Sequence, residues 1–158
     1  MSVALHPEAE VLGFLLGTWT GEGDGFYPTI PSFRYGEEVR FWHIGKPWLA
    51  YAQRSWAIDD GRPLHSETGY WRPKPDGRVE VVLALPTGHV EVEEGTVAGR
   101  VVTLATTLVG RTATAKEVTA MTRRLAVDGD VLSYVLAMAA VGEPLQEHLA
   151  AELTICRE

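Results

Sequence analysis

A chain of 158 residues, 46% of them hydrophobic, is long enough for one domain spanning 1–158 and too apolar for disorder. A formal charge of −7, with no basic cluster, argues against nucleic acid as a partner. One cysteine, Cys156, excludes an internal disulfide and any cysteine-rich zinc or iron–sulfur site, which suits a reducing cytoplasm.

In chain order, His6-Pro7-Glu8-Ala9-Glu10-Val11-Leu12 has the marks of a short helix start, with proline early and two acids in the first turn. Val11, Phe14 and Leu15 would be its apolar side, and Gly13 and Gly17 limit it to a turn or two that plugs something. The apolar run 11–16 is short and follows acids instead of basic residues, so no secretory leader is expected. No segment approaches the length of a membrane-spanning helix, and no membrane partner is expected.

Gly17-Thr18-Trp19-Thr20-Gly21-Glu22-Gly23 then puts glycine at alternate positions around one tryptophan. In a strand this leaves part of one face without side chains, so another segment can pack close to the backbone, with Trp19 as a large surface to bury. Further strand signals follow at intervals of about ten residues: 34–44, 48–58, 64–72, 78–85, 89–97, 100–108, 115–127 and 131–141. The breaks between them are rich in glycine, in places preceded by aspartate, as at Asp59-Asp60-Gly61, Asp76-Gly77 and Asp128-Gly129. With the strand of Trp19 and one after His148, the count is about ten. Tight turns imply an antiparallel up-and-down order, and closure into an all-β barrel removes exposed edges. A barrel of that size has room in its lumen for a small ligand.

The last segment, Glu143-Pro144-Leu145-Gln146-Glu147-His148-Leu149-Ala150-Ala151-Glu152-Leu153, carries the most chemistry. Its histidine has three uses open to it: metal or haem ligand, proton shuttle, or solvated surface residue. As a helix the run would line up Leu145, Leu149 and Leu153. As a strand it sets Leu149, Ala151, Leu153 and Ile155 on one face and His148, Glu152 and Thr154 on the other. An inward His148 must then precede the regular strand or sit at a bulge. The barrel pattern favours the strand.

The other histidines are His6, His43, His65 and His89. No pair has the spacing of a helical zinc site, and there is no Cys-x-x-Cys-His for covalent haem. No nucleophile elbow or phosphate loop is present. His89, beside a turn, is expected at the surface, and Glu37-Glu38 and Glu93-Glu94 are expected to be solvated. His43, alternating with Phe41, fits a core histidine as well as a site residue.

Gly17–Gly23 fits Gly-x-Trp-x-Gly-x-Gly, which resembles the signature of the nitrobindin family of β-barrel haem proteins. Five further blocks follow in the same order as in mycobacterial and other actinobacterial nitrobindins. They are Tyr27-Pro28-Thr29-Ile30, Gly45-Lys46-Pro47-Trp48-Leu49-Ala50-Tyr51, Leu64-His65-Ser66-Glu67-Thr68-Gly69-Tyr70, Thr114-Ala115-Lys116-Glu117-Val118-Thr119 and Pro144-Leu145-Gln146-Glu147-His148-Leu149. The resemblance implies a ten-stranded barrel, lipocalin- or fatty-acid-binding-protein-like, with a short N-terminal helix and one non-covalent haem b per chain. It makes His148 the proximal iron ligand and the catalytic centre's anchor. It places Thr29 and His65 along the haem cavity on or near its distal side, and Lys116 in contact with haem; Arg123 is a further basic candidate for the propionates. The implied activity is isomerisation of peroxynitrite to nitrate at ferric haem, with nitric oxide binding at ferrous haem, in the cytoplasm and with a homodimer left open. Two other readings stay on the page: a non-enzymatic lipocalin-like carrier of an apolar ligand, and an interaction domain that uses the barrel as scaffold.

Overall fold

The computed structural model describes residues 2–157. Its strands are β1 (Gly17–Tyr27), β2 (Ile30–Trp42), β3 (Leu49–Ala57), β4 (Pro63–Lys74), β5 (Arg78–Leu85), β6 (His89–Ala98), β7 (Val101–Arg111), β8 (Val118–Asp128), β9 (Val131–Ala140) and β10 (Gln146–Ile155). Each pairs with its sequence neighbours, and β1 closes on β10, so the ten strands form one antiparallel barrel as the turn spacing predicts. Among the described residues, no helix is long and apolar enough to cross a membrane.

A 3-10 helix, Pro7–Leu15, precedes the barrel. It buries Ala9, Leu12 and Leu15 and packs Phe14 against the core, as expected of Phe14 and Leu15, but leaves Val11 exposed, which corrects the expectation for that residue. The reason is its period: three residues per turn stacks i, i+3 and i+6, whereas the expected face assumed a wider turn. Leu12 and Leu15 join Trp19, Phe41, Leu49, Trp71, Leu104 and Leu153 in the core, so the helix belongs to the apolar packing at one end of the barrel. Trp19 is fixed there by its indole Nε1, which donates to the Leu15 carbonyl at 2.8 Å.

The alternate glycines of β1 receive aromatic rings from β2. Gly23 is opposite Tyr35 and Gly25 opposite Phe33. A Cβ on Gly23 would meet the Tyr35 ring, and one on Gly25 the Phe33 ring. Rings from a neighbouring strand thus cover bare backbone, which pins the register of the pair.

Midway along the lumen the inward positions turn polar. Glu37, Gln53, Glu67, Glu91, Glu93 and Arg123 are all buried, contributed by β2, β3, β4, β6 and β8. Glu37 and Glu93 therefore do not follow the expectation of solvated acids. In each Glu-Glu pair the strand alternation sends one carboxylate inward, while Glu38 is part-exposed on Arg54 at 3.2 Å and Glu94 is exposed.

Candidate functional site

The β1–β10 ladder runs from Trp19↔Ile155 to Gly25↔Leu149 and stops there. On its other side, β10 slips register against β9 between Glu147 and Leu149. His148 sits in that bulge. The extra residue turns both His148 and Leu149 onto the lumen, so the strand-phase problem is solved by one of the two routes open to it. β1 has its own irregularity between Gly25 and Tyr27, which frees the Phe26 carbonyl from a regular ladder.

That carbonyl accepts a hydrogen bond from His148 Nδ1 at 3.0 Å. A carbonyl only accepts, so Nδ1 carries the proton and Nε2 keeps its lone pair. Burial lowers the pKa of His148, against a smaller opposing effect of the Phe26 bond, which keeps the ring neutral. Tyr27 packs edge-on against the imidazole, with centroids 5.3 Å apart. Its hydroxyl accepts from Ala140 N at 2.9 Å and lies 3.2 Å from the Met138 carbonyl, so β1 and β9 hold the ring from either side.

His148 opens onto a cavity of about 1200 Å³, larger than the roughly 300–1,000 Å³ usual for small-molecule sites. Thr29 in the β1–β2 turn, His65 early in β4 and Lys116 in the β7–β8 loop all line it, as does Arg123 deeper in. Thr29 and Lys116 are exposed, and His65 is half-buried with Nε2 3.4 Å from Glu67.

Arg123 has another employment than the one expected for it. Its guanidinium donates to Glu67 at 2.7 Å, Glu91 at 3.0 Å and Glu93 at 3.1 Å, all buried carboxylates. A fork directed at three acids has little left to offer a propionate. Desolvation works against ionised Glu67, but the Arg123 charge and the bonds from His65 and Arg123 outweigh it and hold Glu67 well below the usual carboxylate range. Burial wins at the other acids and raises Glu93 and Glu37 to about 7. Glu37 also accepts from Gln53 at 2.6 Å and from the Tyr134 hydroxyl at 2.9 Å, and Tyr134 is 2.7 Å from the Tyr35 hydroxyl.

His89 lies inside and not at the surface. Its Nε2 donates to the Lys116 carbonyl at 2.7 Å, and Nδ1 accepts from Thr87 Oγ1 at 2.8 Å. His43 is not among the residues lining the cavity, and its Nδ1 accepts from Gly45 N at 3.2 Å. Sequence reasoning missed Phe26, Tyr27, Tyr35, Glu37, His89 and Tyr134. The inward phase of Tyr35 and Glu37, shared with Val39 and Phe41, was the one available signal.

The model of the THAP4-like, heme-binding beta-barrel domain family matches residues 8–154. The chain belongs to this family. Peroxynitrite isomerase 2 of Mycobacterium avium (strain 104) is 55% identical over 157 residues, spanning 97% of this chain and 98% of its own length. The peroxynitrite isomerase of Nocardia farcinica (strain IFM 10152) is 54% identical, over 96% and 93%. The crystal structure of Rv2717c from M. tuberculosis aligns with a TM-score of 0.91 at 52% identity, over 98% of this chain and 100% of that one. These matches bear out the nitrobindin resemblance and the barrel read from the sequence.

The residues present fit the haem that gives this heme-binding family its name. One neutral imidazole presents a free Nε2, with its other nitrogen tied to a carbonyl as metal-ligating histidines usually are. The lumen beside it is large, with Leu136, Met138 and Leu149 among its apolar lining residues. No cluster of three or more His, Cys, Asp or Glu suited to a bare metal ion exists among the described residues.

Proposed function

We propose that this protein isomerises peroxynitrite to nitrate at a haem b held by His148. The observation that carries the proposal is the placement of His148 in the β10 bulge, with Nδ1 on Phe26 and Nε2 uncommitted at a cavity of haem-accommodating size. The names of the relatives at 54–55% identity supply the reaction. A bound ferric haem would supply a Lewis acid toward the peroxynitrite anion, whose weak O–O bond it would dispose to rearrange.

The chain's own part is to hold and to shield. Phe26 and Tyr27 orient the imidazole, so little motion is left to it at the moment of ligation. Lys116 brings a positive charge to the mouth, suited to a propionate, and Thr29 and His65 line the cavity as its polar wall. Peroxynitrite anion and nitrate have the same atoms and charge, so no side chain has to gain or lose a proton overall. That agrees with a site without a catalytic triad. Nitric oxide, small and neutral, would fit the same cavity when the bound haem is reduced.

The experiment is stopped-flow decay of peroxynitrite with nitrate quantified, using apo-protein, ferric haem-loaded protein and haem-loaded Cys156→Ser. Catalytic decay to nitrate with haem alone, undiminished in Cys156→Ser, is the expected result. Decay by apo-protein that ends after one equivalent and vanishes in Cys156→Ser would transfer the chemistry to the exposed thiol.

A further inference from the structure

Four phenols and four buried carboxylates, Glu37, Glu67, Glu91 and Glu93, line or underlie one cavity, and one chain of contacts among them has a chemistry the isomerisation does not use. Tyr134 donates its hydroxyl to Glu37 Oε2 at 2.9 Å. With that hydrogen committed, the 2.7 Å contact to Tyr35 has Tyr35 as donor, so the order is Tyr35 to Tyr134 to Glu37. Tyr35, Tyr134 and Glu37 all line the cavity that His148 opens onto. Tyr134 stands on β9 opposite Ala151 of β10, three residues along from His148. Glu37 is 2% exposed, and its second oxygen, Oε1, has no hydrogen-bond partner among the described residues.

We propose that Tyr134 is a self-nitration site, modified by peroxynitrous acid that decays inside the lumen, with Glu37 receiving the phenol proton. The proposal rests on peroxynitrite being the substrate that enters this cavity. Peroxynitrous acid that escapes isomerisation breaks its O–O bond homolytically into hydroxyl radical and nitrogen dioxide. The phenol of Tyr134 gives an electron to the hydroxyl radical and its proton to Glu37; the proton passes on to the hydroxide, and water leaves. Nitrogen dioxide then bonds to a ring carbon beside the phenol oxygen, and the hydrogen on that carbon moves to the oxygen. The sum is one tyrosine and one peroxynitrous acid giving one nitrotyrosine and one water.

Two features single out Tyr134 from the other phenols. A phenol is oxidised more readily when a base stands ready for its proton, and Tyr51, which also donates to a carboxylate, has a poorer one. The Tyr51 partner is Glu67 at 2.8 Å, already saturated by Arg123 and the weaker base for it. The Tyr27 hydroxyl is bonded only to backbone. Tyr134 also has Tyr35 at its oxygen, a second ring that stabilises the radical through its hydrogen bond.

The test is peptide mapping by mass spectrometry after sub-stoichiometric peroxynitrite at neutral pH, on apo- and haem-loaded protein, with nitrate measured in the same samples. Tyr134 should carry more nitrotyrosine than Tyr70, which is 48% exposed and nitrates freely if access decides. Glu37→Gln should lower nitration at Tyr134 several-fold and leave Tyr70 unchanged. Modification that follows exposure, with Tyr70 ahead of Tyr134, overturns the proposal, and so does a Glu37→Gln protein that nitrates Tyr134 as before. The wild-type map decides the order of sites even if the variant misfolds. Tyr134 nitrated first without catalytic nitrate formation upholds this site and removes the isomerase reading; catalytic nitrate with Tyr70 ahead does the reverse.

Discussion

His148 and Phe26 are joined by a hydrogen bond in the place where their two strands stop being a ladder. The last regular pair of β1 and β10 is Gly25 with Leu149, and one step further the imidazole takes the Phe26 carbonyl at 3.0 Å. A side chain thus completes what the backbone leaves open at the bulge, and in doing so its tautomer is chosen. Backbone irregularity and imidazole orientation are one feature here.

Replacing His148 by leucine should therefore remove haem coordination and spare the barrel. The residue is half-buried at the cavity edge, and its loss costs one hydrogen bond, about 1 kcal/mol. Haem titration read at the Soret band, with circular dichroism alongside, checks both halves. An unshifted Soret spectrum with unchanged affinity would remove His148 from the iron.

Trp19 should be structural alone. It is 3% exposed, bonded through Nε1 to Leu15, and packed in the core with the helix residue Leu12. Trp19→Ala should cost about 3–5 kcal/mol in apo-protein stability, read from the urea midpoint. Unchanged stability with activity lost would mean that the indole serves the reaction.

Strand count, order and closure were legible because turn chemistry recurs at regular intervals, and each turn is a local property of a few residues. The helix face was not, since nothing in Glu8-Ala9-Glu10-Val11-Leu12 distinguishes a three-residue turn from a wider one. Glu37 and Glu93 were misread for a different reason. Their strand phase is inward, but what permits a carboxylate there lies far off in sequence: Tyr134 for Glu37 and Arg123 for Glu93. Arg123, a basic candidate for the propionates in the sequence, finds its partners only in the fold, on strands far from its own. His148 was legible in part: the conflict between its phase and an inward role pointed to a bulge, and the bulge is there.

The polar belt makes a prediction about pH. Burial raises Glu37 and Glu93 from 4.5 to about 7 in the folded chain. Between those values the folded state binds more protons than the unfolded one, so stability falls as pH rises through the window. Each group accounts for at most about 3 kcal/mol by pH 8. Glu67 has the opposite sign: its pKa is held down, so its stabilisation is present above the ordinary carboxylate range and is lost on acidification. Apo-protein stability should peak near pH 5 and decline toward pH 8, and Glu37→Gln should flatten the decline. Urea unfolding across that range measures it; a midpoint rising from pH 5 to 8 would contradict the assignment.

His89 makes the last prediction, because it ties Lys116 to the barrel. The β7–β8 loop would otherwise be an open strap at the cavity mouth. It is fixed at its start by Thr112 N donating to Gly88 O at 2.8 Å, and at its end by Val141 N donating to Glu117 O at 3.0 Å. Between them, His89 Nε2 takes the Lys116 carbonyl, and Thr87 fixes the imidazole from its other nitrogen. His89→Leu removes both hydrogen bonds, each a part-buried contact contributing about 1 kcal/mol. The loop should then open more often, with faster amide exchange across residues 112–117 and little change elsewhere in the barrel. Haem should leave the loaded protein faster as Lys116 loses its fixed position, and His89→Gln, which keeps one donor for the carbonyl, should restore part of the retention. Hydrogen exchange by mass spectrometry and haem transfer to an acceptor protein measure the two effects. Unchanged exchange in the loop would show that His89 does not hold it, and faster exchange with unchanged haem release would show that the position of Lys116 does not govern haem retention.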